Sequence, residues 1–249
     1  MYPPLVVAFL LIRHAQSTWN AAGRWQGQAD LPLSDSGTAS AVEAAARLAC
    51  EPPFDLVITS DLTRARRTGE ILGAVGEAPP PPEPGSGCGP AASTGNRPGP
   101  PPAADTVFDT SGTALIVEPA LRELHVGEWS GLTRSEIEQR WPYELDLFDT
   151  GRLSAPPGGE TREEFDSRVR EAAREVARHI YRRGARRTLV VTHGGVIRSL
   201  LRSGGLLERH VTNLAGYEGR SSTESLSLEV PVDLLQPAAR ALSDGPAIL

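Results

Sequence analysis

Four short apolar runs, Leu5–Ile12, Leu56–Thr59, Ala114–Val117 and Leu189–Thr192, alternate with stretches that carry helix signals, and this alternation constrains the fold more than any other feature. Leu5–Ile12 is unbroken and rich in Leu, Val and Ile, as a strand covered on both faces requires. It is far too short to cross a bilayer, which takes about 20 residues. With no basic region before it and no small-residue cleavage site after it, it does not read as a signal peptide. Ser34 or Asp35 can cap a helix over about Gly37–Ala49, and Ser60 or Asp61 one running to about Val75. A long helix is predicted from near Thr161, with Phe165, Val169, Ala172, Val176 and Ile180 on one stripe. Its other faces offer the i,i+4 pairs Glu164/Arg168 and Asp166/Arg170. Val196–Arg202 follows the fourth run as a helix, and the alternating Ser225–Val230 suits an edge strand. The pattern predicts an α/β fold: a three-layer αβα sandwich, its central sheet mostly parallel, with helices on both faces.

One interval breaks the pattern. Between Pro79 and Thr106 there is no Leu, Ile, Val, Met, Phe, Tyr or Trp, and ten prolines fall there. Such a segment has nothing to bury against the entropy cost of ordering. Strand and helix signals then resume without a new start. The expectation is one domain over residues 1–249 with a disordered Pro/Gly-rich insertion at about 77–110 and a peripheral tail from about 231. Because the preceding helix begins at the edge where the strands end, the insertion should leave from the opposite edge.

All 25 cations of the chain are arginine; there is no lysine. Schiff-base chemistry, a phosphate-binding-loop lysine and a lysine general base are therefore excluded. The formal net charge of −6 gives no footprint for nucleic acid, and no span suits a membrane. Cys50 and Cys88 are too few and too far apart for a disulfide scaffold, which makes a reduced, cytoplasmic setting the default. Without HExxH or CxxC, no metal site or other cofactor is expected.

Ligands of open α/β sheets bind beyond the C-terminal strand ends. Past the first run lie Arg13, His14 and Asn20; past the second, Ser60, Asp61 and Arg64; past the fourth, His193, Gly194 and Gly195. Arg64 falls in the first turn of its helix, where a cation opposes the macrodipole at a cost of about 0.3–1 kcal/mol. An anion bound between the guanidinium and the helix end removes that conflict. Two arginines, two histidines and two helix N-termini at one edge describe a phosphate site, and the planar guanidinium fork can hold two phosphate oxygens at once.

The strings LIRHAQSTWN, SDLTRARRTGE, LRELHVGEWSGLT and VTHGGVIRSL, in this order, resemble the motif series of the histidine phosphatase superfamily, on its phosphoglycerate mutase-like branch. The likeness extends from about Ala8 to Gly205. It implies that His14 is the nucleophile and forms a phosphohistidine. It also implies that Arg13, Arg64 and His193 bind the phosphoryl oxygens with help from Asn20 and the Gly194 amide, and that Glu123 donates the proton to the leaving oxygen. In one departure, Ala15 follows the nucleophile where the family more often has glycine, so packing beside the imidazole should differ.

The remaining histidines fit other roles: His125 at the pocket or the surface, His179 half-buried on the long helix, His210 exposed. Trp19, Trp25, Trp129 and Trp141 suit core or half-buried packing rather than a substrate platform. Segments Ala21–Leu33 and Val126–Gly159 should emerge at the catalytic edge as pocket walls. The second is rich in acids (Glu128, Glu136, Glu138, Glu144, Asp146, Asp149), which predicts a substrate without a second strongly anionic group. The implied function is a metal-independent phosphomonoesterase acting on a small phosphorylated metabolite. A phosphoglycerate mutase-type transfer is the alternative, disfavoured by the short, acidic, lysine-free segment after Glu123. A non-catalytic binding protein is the third reading. The residues do not determine the oligomeric state.

Overall fold

A computed structural model of the protein describes residues 7–73, 106–108, 113–206 and 210–236. Seven strands form one sheet: β1 (Val7–Arg13), β2 (Leu56–Thr59), β3 (Thr106–Phe108), β4 (Ala114–Val117), β5 (Arg187–Thr192), β6 (Ala215–Ser221) and β7 (Leu226–Asp233). Their order is β3-β4-β2-β5-β1-β6-β7. β4, β2, β5 and β1 pair in parallel, while β3 at one edge and the β6–β7 hairpin at the other run antiparallel. The helices are α1 (Thr18–Ala21), α2 (Asp35–Leu48), α3 (Thr63–Gly73), α4 (Arg134–Arg140), α5 (Pro142–Asp149), α6 (Arg162–Arg183) and α7 (Gly194–Ser203).

Side chains alternate across the central strands and so feed two cores. Phe9, Leu11, Ile58 and Val190 face α6 and α7; Leu10, Ile12, Val57, Leu189 and Val191 face α2 and α3. This is the three-layer arrangement expected. The predicted stripe of α6, Phe165 through Ile180, is buried throughout, each large apolar side chain contributing about 1.5–3 kcal/mol. Thr161 and Glu164 form a capping box at its start, and Gly184, at φ 57°, ends it. Glu164 is thereby spent on the cap. Arg168 pairs instead with Glu160, and Asp166 with Arg202, so neither expected i,i+4 pair forms. Ser34 caps α2, its hydroxyl accepting from Gly37 N at 3.0 Å. Neither Ser60 nor Asp61 caps α3 as expected: Asp30, from a distant loop, accepts from Thr63 N at 2.7 Å and from its hydroxyl at 3.0 Å.

Two strands lack a sequence signal. β6 reads AGYEGRS, and its glycines lie where a Cβ would meet the Leu11 and Ser227 carbonyls, so close packing replaces apolar alternation. β3 falls at residues 106–108, inside the expected insertion, and narrows it. The proline-rich residues 79–102 lie outside the described residues. The tail boundary also moves: β7 continues through Pro231, and Val232 and Leu234 are buried in the second core. No helix among the described residues is long and apolar enough to cross a membrane.

Candidate active site

β1, β2 and β5 end side by side, and the turns after them carry His14, Ser60 and His193. His14 N donates to Thr192 O at 2.9 Å, continuing the β1–β5 ladder one residue further. His14 is 2% exposed. Its Nδ1 lies 2.6 Å from Ala15 O, a contact only a protonated Nδ1 can make favourably, so the lone pair sits on Nε2. Arg64 Nε donates to that Nε2 at 3.3 Å. Burial, then the nearby Arg64 and Arg13, hold the imidazole well below its ordinary pKa. Ala15 is itself buried among Leu10, Ile12 and Ala41, and its amide donates to Thr68 Oγ1 at 3.0 Å. The extra methyl therefore belongs to the core.

The His193 ring lies 5.2 Å from that of His14, centroid to centroid, at 61°. Its Nε2 is 2.9 Å from Ser60 Oγ, while Nδ1 is buried without a hydrogen-bond partner. Burial, then Arg64 and His14, push its pKa well below the usual value. Arg13 Nη1 donates to Val211 O at 2.7 Å, and its buried Nε has no partner. Two unanswered buried polar atoms in one place, each costing about 1–3 kcal/mol, fit a site shaped for an anion with several oxygens.

Arg64 is wholly buried at the start of α3. It is only in part the free fork expected: Nη1 and Nη2 donate to Ala29 O at 2.7 Å and Gly27 O at 2.8 Å, so it also fixes the 27–29 loop. Burial lowers its pKa to about 10, opposed by Glu123 and Asp30. Glu123 faces the same place. Its Oε2 accepts from Gly195 N at 3.0 Å and its Oε1 from Leu124 N at 2.9 Å.

The structure thus brings His14, Arg13, Arg64, Glu123 and His193 together. Asn20 stands one step back: its Oδ1 accepts from Ser17 N at 3.3 Å as part of the α1 capping box, and from Asn213 Nδ2 at 3.4 Å. Gly194 has room for a methyl group. At Gly195 a Cβ would meet Glu123 Oε1, so a methyl group there displaces the carboxylate. Asp61 is turned away into an ion pair with Arg122. His125 and His210 are exposed and His179 is half-buried.

Sequence reasoning missed several supports. Asn213 Nδ2 donates to His14 O at 2.8 Å. Arg168 Nη1 donates to the carbonyls of Ala120 at 2.8 Å and Arg122 at 2.9 Å, and Nη2 to that of Glu123 at 3.3 Å. Gln28 Nε2 donates to the same Glu123 carbonyl at 3.1 Å. No local pattern marks these contacts; only the fold brings the partners together. The two expected wall segments do meet. Trp25 N donates to Leu132 O at 2.8 Å, and Trp25, Trp129 and Phe148 pack edge to face with centroids 5.4 Å apart, building a third small core with Ile137 and Leu145.

The model of the histidine phosphatase superfamily (branch 1) matches residues 9–85 and 103–225, and the chain belongs to this family. It is 31% identical over 225 residues to glucosyl-3-phosphoglycerate phosphatase of Mycobacterium tuberculosis, covering 88% of this chain and 84% of that one. It is 31% identical over 197 residues to a metal-independent phosphoserine phosphatase of Arabidopsis thaliana, covering 78% and 67%. A probable phosphoglycerate mutase of Photorhabdus laumondii is 35% identical over 191 residues, covering 74% and 68%. Among solved structures, mycobacterial glucosyl-3-phosphoglycerate phosphatase in complex with VO3 superposes with a TM-score of 0.63 at 26% identity, over 90% of this chain and 97% of that one.

Proposed function

We propose that the protein is a phosphomonoesterase that hydrolyses a small phosphorylated metabolite through a phosphohistidine on His14 Nε2. The observation that carries this reading is the tautomer: Ala15 O holds the proton on Nδ1 and leaves the Nε2 lone pair facing Arg64. Arg13, Arg64 and His193 bind the phosphoryl oxygens, with the Gly194 amide and Asn20 at the rim. His14 Nε2 attacks phosphorus as the ester P–O bond breaks, and the leaving oxygen takes a proton from Glu123. The ring then carries positive charge, which the Ala15 carbonyl stabilises at Nδ1. Water next attacks phosphorus, Glu123 takes its proton, and the P–N bond breaks to release phosphate and neutral His14. Charge in the loose transition state spreads over the equatorial oxygens, where the guanidiniums act. No step calls for a metal. The substrates named for the two phosphatase relatives are small phosphate monoesters, the class proposed here. The composition supports a cytoplasmic setting.

Rapid quenching after mixing with a 32P-labelled phosphomonoester should trap an acid-labile, alkali-stable phosphoprotein in the unmodified protein and none in His14→Gln, with turnover unaffected by EDTA. Label persisting in H14Q, or turnover abolished by chelation, overturns the reading. The mutase relatives favour a second reading, phosphoryl transfer within a phosphoglycerate. Inorganic phosphate release in preference to 2-/3-phosphoglycerate interconversion separates hydrolysis from it.

A further inference from the structure

Ser60 follows β2 and does not cap α3, since Asp30 holds the Thr63 amide. Its place comes from the sheet. With Thr59 beside Val191 in the β2–β5 register, Ser60 N donates to Val191 O at 3.1 Å, two residues before His193. Both side chains are fully buried, and Ser60 Oγ lies 2.9 Å from His193 Nε2. A hydroxyl and an imidazole nitrogen can each donate or accept, so the direction of this bond follows from their other partners.

Ser60 Oγ already accepts from Leu62 N at 3.4 Å. Its own hydrogen has one acceptor among the described residues, His193 Nε2. With the ring hydrogen on Nε2, Ser60 Oγ would face two donors and its hydrogen would be buried without an acceptor. His193 Nδ1 would then be a buried lone pair, a second unsatisfied group. With the ring hydrogen on Nδ1, the serine is satisfied and a single buried N–H remains unanswered. A doubly protonated ring would again strand the Ser60 hydrogen. Burial, then Arg64, His14 and Arg13, also oppose its charge.

We propose that Ser60 is a positioning residue: its hydroxyl donates to His193 Nε2, fixes the ring proton on Nδ1 and so presents that N–H to an oxygen of the phosphoryl group. The identity of the anion rests on the phosphatase reading of the site. With Nε2 spent on Ser60, Nδ1 is the polar ring atom that His193 has left for an oxygen. In the opposite tautomer a lone pair would meet that oxygen and repel it. The two buried histidines thus keep their protons on the same ring atom for opposite purposes. Ala15 O holds the His14 proton so that Nε2 can attack, and Ser60 holds the His193 proton so that Nδ1 can donate.

Long-range 1H–15N spectra of the free protein at neutral pH, with His193 assigned by its loss in His193→Gln, should show Nδ1 protonated and Nε2 bare. In Ser60→Ala the Nε2 tautomer should appear. Inorganic phosphate, titrated by calorimetry, should then bind at least about tenfold more weakly, the loss of one hydrogen bond to an anion. Ser60→Thr, which keeps the hydroxyl, should retain the Nδ1 tautomer and most of the affinity. In a His193→Gln background, Ser60→Ala should change phosphate affinity less than about twofold, because Ser60 acts through the ring. A merely structural role would weaken binding by the same factor in both backgrounds. A protonated Nε2 in the free unmodified protein, or equal losses in the two backgrounds, overturns the proposal. A protein that forms a phosphohistidine yet carries the His193 proton on Nε2 keeps the proposed function and loses the role of Ser60. A protein with the Nδ1 tautomer and Ser60-dependent phosphate binding that hydrolyses no phosphomonoester keeps the role of Ser60 and loses the proposed function.

Discussion

The pocket depends on single atoms at two positions. Gly195 is one: its amide holds Glu123 Oε2, and a Cβ would strike Oε1 of the same carboxylate. Gly195→Ala should therefore move the proton donor while leaving Arg13, Arg64 and His193 in place. The expected result is a kcat loss of about 10²–10³-fold on alkyl phosphates, within the range for losing a general acid, with inhibition by inorganic phosphate retained. Steady-state kinetics with phosphate as inhibitor checks it. The second position is the buried histidine pair. Burial holds both rings well below the ordinary value of 6.5. A depressed histidine pKa means that the unfolded chain takes up protons before the folded one does. The stability from the neutral pair is thus full above pH 6.5 and is lost as pH falls below it, at up to about 1.4 kcal/mol per pH unit for each ring. Urea titrations from pH 7.5 to 5 should show a falling midpoint, with a shallower slope in His193→Gln; an equal slope in the variant counts against this origin.

Among the elements, α6 was legible in sequence as an amphipathic helix with a capped start, but its contribution to the site was not. Arg168 reads as one member of a solvent-facing pair. In the fold it is the clamp that fixes the backbone carrying Glu123, held by Glu160 at 2.8 Å. Removing it leaves the carbonyls of Ala120 and Arg122 unanswered and takes the ion-pair partner from Glu160, a destabilisation on the order of 3 kcal/mol. Arg168→Gln should lower kcat on alkyl phosphates by about tenfold or more and act far less on 2,4-dinitrophenyl phosphate, whose leaving group needs little protonation. A merely structural role would lower both rates alike. Leaving-group dependence therefore identifies a positioning residue.

Over the whole molecule, the sheet order places the two described ends that flank residues 74–105 relative to the chemistry. α3 ends at Gly73 against Val57, away from the catalytic edge, while β3, antiparallel to β4, begins at Thr106 opposite Ile116 on the catalytic edge but in the outermost strand. Four strand spacings of about 4.8 Å separate β3 from β1, which carries His14. Deleting residues 79–102 should change kcat/KM for p-nitrophenyl phosphate less than twofold, measured beside a thermal melt. A collapse in rate with an unchanged melt would refute that placement.

The sequence by itself determined the layered α/β architecture and the placement of His14, Arg64 and His193 at one edge. Both follow from local chemistry: an unbroken apolar run must be buried, and whatever follows it emerges at the strand's end. The tertiary structure decided which partner each polar group takes. Ala15 O selects the His14 tautomer, Gly195 rather than Gly194 supplies the bare backbone, and Asp30 rather than Ser60 caps α3. Such choices lie between residues far apart in the chain, where no spacing rule operates. With 25 arginines against 31 acids, almost any pairing can be written in sequence, and only the fold decides which charges remain for a substrate.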